Sequence, residues 1–331
     1  MSRVTIRDIA READVSIATV SKYLNGRTDL RKKNYLAIQA AIERLDYKVN
    51  MVARSLAQKP LKIGVLVPST FNEYFDPMIE GMKEVVESLV DHKVTAVYER
   101  FNGYLGDEEV IQTLNNFIQQ GVNGIILGPS RYGNLGEIVG TLQKKKIPLV
   151  FVLSDIAEIP RVAYVGIDAE LSGCMAADFA GFALRPNALT AVFVGNKDIV
   201  EHQQKAESFR EVCQEKGINV LGVFETQDDS DLAYQLSKSV IEKNPSLDLI
   251  YVATGNSVAI CRAIEDCGKS EQIKVIATDA PRELYKYVNN QVVIAILSQH
   301  LHRQGRMAVE VLYRYLTENS IEQSEIILAP T

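Results

Sequence analysis

Apolar positions along the chain follow two rhythms, one helical and one strand-like, and the change between them falls near residue 60. Before it they recur three and four apart, the spacing that puts side chains on one face of an α-helix. Ile6, Ile9, Ala10 and Ala13 form a first stripe, opened by Thr5-Ile-Arg-Asp8 in the manner of a capping box. Asp14-Val15 breaks it, and Ser16 is placed to cap a second helix running through Leu24 to an Asn25-Gly26 stop. There Val20, Tyr23 and Leu24 face inward, while Ile17, Ala18, Ser21 and Lys22 face outward on a side small and polar enough to enter a major groove. Leu36, Ala37, Ala40, Ala41 and Leu45 predict the core side of a third helix, whose basic start is Arg31-Lys32-Lys33. Three short helices, the first two joined by a tight turn, make a helix-turn-helix unit.

From residue 61 onward, short apolar runs alternate with helical patterns. The runs are 63–67, 94–98, 124–127, 149–153, 162–167, 190–194, 220–224, 249–253, 274–277 and 292–297, and 77–90, 107–120 and 201–216 have helical spacing. Repeated β-α order gives parallel sheets flanked by helices, and ten strands are easier to place in two sheets than in one. The predicted fold class is α/β: a small all-α helix-turn-helix headpiece, then a two-lobed domain with two parallel sheets and a cleft. Expected boundaries are 1–49 for the headpiece, 50–60 for a hinge, and 61–331 for the large domain. Within the last, one lobe spans about 61–165 and is rejoined near 295–320, and the other spans about 166–294. Ligands in such folds lie beyond the carboxyl ends of strands. That directs attention to turns holding Tyr74-Phe75, Gly128-Pro129, Asn196, Thr254 to Asn256, and Asp279.

Charge divides the chain at the same place. The formal net charge is −6, yet residues 1–59 hold twelve Lys/Arg against six Asp/Glu, a balance of +6 that leaves −12 for the remainder. A basic module that meets a polyanion, tied to an acidic body that stays off it, produces such a split. Apolar runs fall far short of the roughly 20 residues that cross a bilayer, and the first residues lack a secretory pattern, so a cytoplasmic protein with no membrane partner is expected. The four cysteines, Cys174, Cys213, Cys261 and Cys267, form no C-x-x-C pair and fit reduced thiols.

Residues 4–26, Val-Thr-Ile-Arg-Asp-Ile-Ala-Arg-Glu-Ala-Asp-Val-Ser-Ile-Ala-Thr-Val-Ser-Lys-Tyr-Leu-Asn-Gly, resemble the headpiece of the lactose/galactose repressor (LacI/GalR) family. Asp8-Ile9-Ala10, Val15-Ser16, Thr19-Val20-Ser21 and Asn25 carry the likeness, and the stretch from Asn50 to Leu56 also fits. The resemblance implies that Thr5, Ser16, Thr19, Ser21 and Asn25 hold the phosphate backbone, while Ile17, Ala18 and Lys22 address base edges. It implies a regulator, a repressor in the simplest reading, that binds a near-palindromic operator as a homodimer. Residues 50–59, before Pro60, spell a helix shorter than three turns, too short to persist alone in water. In the family this segment forms on the operator, which implies DNA contacts for Asn50 and Ala53 and a wedge between base pairs for Leu56.

The likeness extends over the large domain, where the family is similar to periplasmic sugar-binding proteins. It implies an effector-binding and dimerisation domain with Tyr74, Phe75, Asn196, Lys205, Asn256 and Asp279 at the effector, a carbohydrate or derivative. An aromatic plate with a carboxylate suits a polyhydroxylated ring. Two departures stand out. Lys205 followed by Ser208-Phe209 replaces the family's arginine and Gly-Phe, and Gly255-Asn256 replaces an Asn-Asp. A point charge is not a bidentate fork, so Lys205 suggests a carboxylate or phosphate on the ligand. An alternative keeps the regulator but gives it a phosphorylated carrier protein as corepressor, as one family branch does. Another makes the large domain a small-molecule-binding protein without a DNA role. An enzyme is not expected: no nucleotide-binding glycine motif or G-x-S-x-G occurs, and His92, His202, His300 and His302 are scattered, so neither catalytic residues, a metal nor a cofactor is assigned.

Overall fold

A computed structural model describes residues 4–24, 30–45, 59–69, 74–101, 107–128, 135–156 and 158–331. The hinge positions Asn50, Ala53 and Leu56, together with Asn25 and Pro129, lie outside the described residues.

Helices α1 (Ile6–Glu12), α2 (Ile17–Leu24) and α3 (Lys32–Arg44) pack around Ile9, Val20 and Ile38, all fully buried. The Asp8 carboxylate holds the start of α1 by accepting from the Thr5 N–H at 2.9 Å and the Thr5 hydroxyl at 2.7 Å. Ser16 does the same for α2, its Oγ accepting from the Thr19 N–H at 3.1 Å. The core face of α3 differs from expectation. Leu36 and Ala40 are exposed, and Ile38 and Ala41 are buried, with Ala37, Ile42 and Leu45 packed beside them. The helix has turned by part of a residue step because the stripe through Ile38 and Ile42 hides two isoleucines, and the stripe through Leu36 and Ala40 hides one large side chain.

The remaining chain builds two sheets in which every pairing is parallel. The first runs in the order β11 (Glu325–Leu328), β5 (Ala163–Ile167), β4 (Leu149–Val152), β3 (Gly124–Leu127), β1 (Leu61–Pro68), β2 (Val94–Phe101). The second runs β10 (Val293–Leu297), β9 (Lys274–Thr278), β8 (Leu247–Val252), β6 (Leu189–Val194), β7 (Asn219–Glu225). Inner strands are buried almost end to end, as parallel strands covered on both faces must be. Strand β11 had no counterpart in the apolar runs. It is a four-residue edge strand in which only Leu328 is buried, so its composition carries little strand signal.

Two helix pairs set the geometry of the cleft. Helix α4 (Asp76–Ser88) crosses α12 (Leu301–Glu318) at Gly81 and Gly305. A Cβ on Gly81 would lie 2.1 Å from the His302 carbonyl oxygen, and one on Gly305 would lie 2.1 Å from that of Met78. In the other lobe α7 (Ala169–Ala183) meets α8 (Val200–Glu215) at Gly173, where a Cβ would lie 2.3 Å from the Lys205 carbonyl oxygen. Each glycine lets backbones approach more closely than any side chain permits, and the second crossing fixes the height of Lys205.

Candidate DNA-reading surface and effector cleft

On α2 the division between faces is sharp. Val20 anchors the helix in the core, and Ile17 stands 50% exposed with Ala18 and Lys22 exposed beside it. Half an isoleucine left in water on a helix of mixed small and cationic residues is a surface prepared for apolar and donor contacts, the two kinds that base edges in a major groove accept. The hydroxyls assigned to phosphate are already engaged locally. Thr5 spends its only proton on Asp8, whose pKa is held below the usual range mainly by that bond. Ser16 and Thr19 share a hydrogen bond of 2.7 Å, which uses one of their two protons and leaves the other to donate to a phosphate oxygen. Ser21, half-buried, completes the set within the described residues. Tyr35 escaped the sequence reading. It is 48% exposed at the start of α3 and its ring lies 4.8 Å from that of Tyr23, tying the outer edge of α2 to α3.

Between the lobes, side chains from four places on the chain meet. Asp279 follows β9 with φ at +54°, a left-handed conformation that aspartate tolerates better than most residues. Its carboxylate accepts from the Tyr74 hydroxyl at 2.7 Å, from the Gln299 N–H at 2.8 Å and from Gln299 Nε2 at 2.9 Å. Gln299 Nε2 also donates to the Tyr74 oxygen at 2.7 Å, and Lys205 Nζ donates to Gln299 Oε1 at 2.7 Å. Tyr74 stands ahead of α4 in the first lobe, while Asp279 and Lys205 belong to the second, so this network latches the lobes together. Burial and the adjacent Asp279 push the Tyr74 hydroxyl well above its ordinary pKa, so it remains a donor.

Gln299 was absent from the expectations although the rule that found the others points to it. It follows β10, and the turn after that strand was not among those singled out.

Deeper in, Lys205 is 2% exposed; burial lowers its pKa to about 8 against the support of Asp279, Glu201 and Asp228. Glu201, one turn earlier, spans the cleft as well. Its Oε1 accepts from the Asp155 N–H at 3.0 Å and is 3.1 Å from the Tyr164 hydroxyl. Burial raises its pKa. Gln304 Nε2 donates to the Gln299 carbonyl at 2.8 Å. His202 is lowered by burial, with Nδ1 3.1 Å from the Asn196 N–H.

The other assigned residues divide. Phe75 is buried edge-on to Tyr74, ring centroids 4.9 Å apart, and lines the inner space. Asn256 lines the outer space, but its amide is spent on Thr226 Oγ1 at 2.8 Å and on the Ser230 hydroxyl. Asn196 stands apart: its Oδ1 accepts from the Asp198 N–H at 2.8 Å, which stabilises its own turn, and it is not among the described residues that line either space. The strand-end rule locates a turn and says nothing of where a side chain points.

Two spaces lie against the latch. An inner cavity of about 70 Å³ is walled by Glu201, His202, Lys205, Asp228, Gln299 and Gln304. An outer opening of about 890 Å³ shares Tyr74 and Gly255 with it. Ligand pockets commonly measure roughly 300–1,000 Å³, so the inner space is that of a shut cleft. Among the described residues no group of His, Cys, Asp and Glu is arranged to hold a metal ion, and no helix is long and apolar enough to cross a membrane.

Comparison with known proteins agrees with both parts. Residues 5–50 match the family of bacterial regulatory proteins of the lacI type, and residues 63–320 match a periplasmic binding protein domain. The catabolite control protein A of Priestia megaterium is 26% identical, covering 98% of this chain and 96% of its own. That of Streptococcus mutans is 27% identical over 98% and 95%. Among solved structures, a glucose-galactose binding protein from Geobacillus stearothermophilus superposes with a TM-score of 0.74 at 21% identity, covering 82% of this chain and 97% of that one. A solute binding protein from Burkholderia graminis in complex with D-arabinose gives 0.76 at 19% identity, with coverage of 82% and 94%. These likenesses show the fold.

Proposed function

The chain belongs to the lacI family of bacterial regulatory proteins, and we propose from this premise that it is a cytoplasmic homodimeric repressor whose operator is near-palindromic and whose effector enters the cleft. DNA binding and transcription regulation come with the family. The observation that carries the rest is the latch of Tyr74, Asp279 and Gln299, because a contact between the lobes gives a ligand something to exchange. Two headpieces read two half-sites, which requires a two-fold dimer. The chain divides at 1–49, 50–60 and 61–331, and the middle segment coils only on DNA, where Leu56 enters a base step and Asn50 and Ala53 lie against the groove.

Sugars are the favoured effectors, since similar folds include a glucose-galactose binding protein and a solute binding protein in complex with D-arabinose and the cleft pairs an aromatic ring with a carboxylate.

Lys22 supplies the test of base reading. Lys22→Ala is expected to relax preference at one operator position, with a loss of about 1–3 kcal/mol there. Selection of sites from a randomised pool reads the profile directly, and an unchanged profile removes Lys22 from the base-reading set.

A further inference from the structure

Two side chains that line the inner cavity carry buried acceptors without a hydrogen-bond partner among the described residues. These are Glu201 Oε2 and Gln304 Oε1. Glu201 is 8% exposed and Gln304 1% exposed. The orientation of Gln304 is fixed by its other end, since Nε2 donates to the Gln299 carbonyl and Oε1 is therefore the free atom. Glu201 is pinned likewise by Asp155 and Tyr164 at Oε1. A buried acceptor without a donor costs free energy, and each such atom in a folded protein calls for a ligand, a water or a strain to account for it.

The charges around the cavity point the same way. Glu201, Asp228 and Asp279 surround Lys205, three carboxylates to one ammonium, and His202 is buried and held toward its neutral form. Lys205 itself is turned onto Gln299 Oε1. An entering carboxylate or phosphate would meet the excess of negative charge and would leave both orphan acceptors without donors. An entering cation meets neither difficulty, and an ammonium brings three donors.

Size limits what can reach this point. About 70 Å³ admits a small group and not a ring. The ring is left to the outer opening of about 890 Å³, on Tyr74 and Gly255, which both spaces share.

We propose that the cleft selects a polyhydroxylated ring bearing a protonated amine, an amino sugar, with the ammonium donating to Glu201 Oε2 and Gln304 Oε1 and the ring on Tyr74. This rests on the cleft being the effector site, and it reverses the expectation that Lys205 marks an anionic ligand. The ligand takes the place of the latch: its hydroxyls offer Asp279 the donors that Tyr74 and Gln299 now supply.

The test is calorimetric titration of the full chain with D-glucosamine, D-glucose, D-glucuronate and D-glucose 6-phosphate. Glucosamine is expected to bind about ten-fold more tightly than glucose, the margin of a charge-assisted over a neutral hydrogen bond, and more tightly still than the two anions. E201Q, which keeps the shape and removes the charge, is expected to shrink that margin to about three-fold or less. Equal affinity for glucose and glucosamine overturns the amine and leaves the cleft standing as a sugar site. Tightest binding of glucuronate or the phosphate overturns it in favour of Lys205 as an anion anchor. Failure of all four to bind overturns it together with the sugar reading beneath it.

Discussion

Gly305→Ala is expected to cost about 3 kcal/mol of stability, the upper part of the range for overfilling a packed contact. The added methyl would be built 2.1 Å from the Met78 carbonyl oxygen and 3.0 Å from its carbonyl carbon. Those are backbone atoms of α4, which cannot rotate aside as the end of a long side chain can, so the helices must part. The same holds for Gly81 against the His302 carbonyl oxygen at 2.1 Å. Thermal unfolding of a large domain should then fall by on the order of 10 °C. Parting α4 from α12 also moves Tyr74, ahead of one helix, relative to Gln304 in the first turn of the other. Gly140→Ala is the control. Gly140 lies within the helix Gly136–Lys144, with nothing within 4 Å of its added Cβ, and there alanine should stabilise by roughly 0.5–1 kcal/mol. Calorimetric melts of the two variants in parallel check both signs, and equal melting temperatures would show that the crossing tolerates a side chain.

Asp279→Asn is expected to abolish the response of operator affinity to the effector while preserving the fold. Asparagine accepts the left-handed backbone at φ +54° as readily as aspartate does, so the strand end survives. What changes is the side chain. Three donors, the Tyr74 hydroxyl, the Gln299 N–H and Gln299 Nε2, now converge on a carboxylate. An amide offers one acceptor oxygen and turns its own N–H groups toward donors, leaving part of the network unmade. Coupling between sites is commonly about 1–3 kcal/mol, or roughly 5- to 150-fold in affinity, and that ratio should collapse to about two-fold or less. Lys205 gives an independent readout. Asp279 heads the charges that hold its pKa up at about 8, so its removal should lower that value further, visible by NMR titration of the lysine. A variant that still answers the effector as the parent does removes Asp279 from the switch.

Much of the architecture was legible in the residue pattern because caps and strand runs are local signals. The Thr5 to Asp8 box, the Ser16 cap and the inner strands of both sheets follow from neighbours in sequence. Position along α3 was harder. One stripe of apolar residues lies beside another there, and only packing against Ile9 and Val20 selects Ile38 over Leu36. β11 was missed because an edge strand needs little apolar content. In the cleft, Tyr74 and Asp279 were found by their strand-end turns and Lys205 by resemblance, and Gln299 follows a strand end that the same rule reaches, but Gln304 and Glu201 look like any solvated polar residues in sequence. Their meaning comes from the lobes closing over them, an effect of tertiary structure alone. The helix glycines at 81, 173 and 305 likewise read as weak points until the facing carbonyls are placed.

A basic headpiece built to read a two-fold symmetric duplex must prefer such a site over other DNA. Fluorescence anisotropy titration of the full chain on a selected palindrome and on a scrambled duplex, repeated from low to physiological salt, tests it most directly. The expected result is a preference of about 10³-fold or more for the palindrome, with affinity falling steeply and linearly in log–log coordinates as counterions are released. Equal affinity for both duplexes at every salt concentration would contradict it.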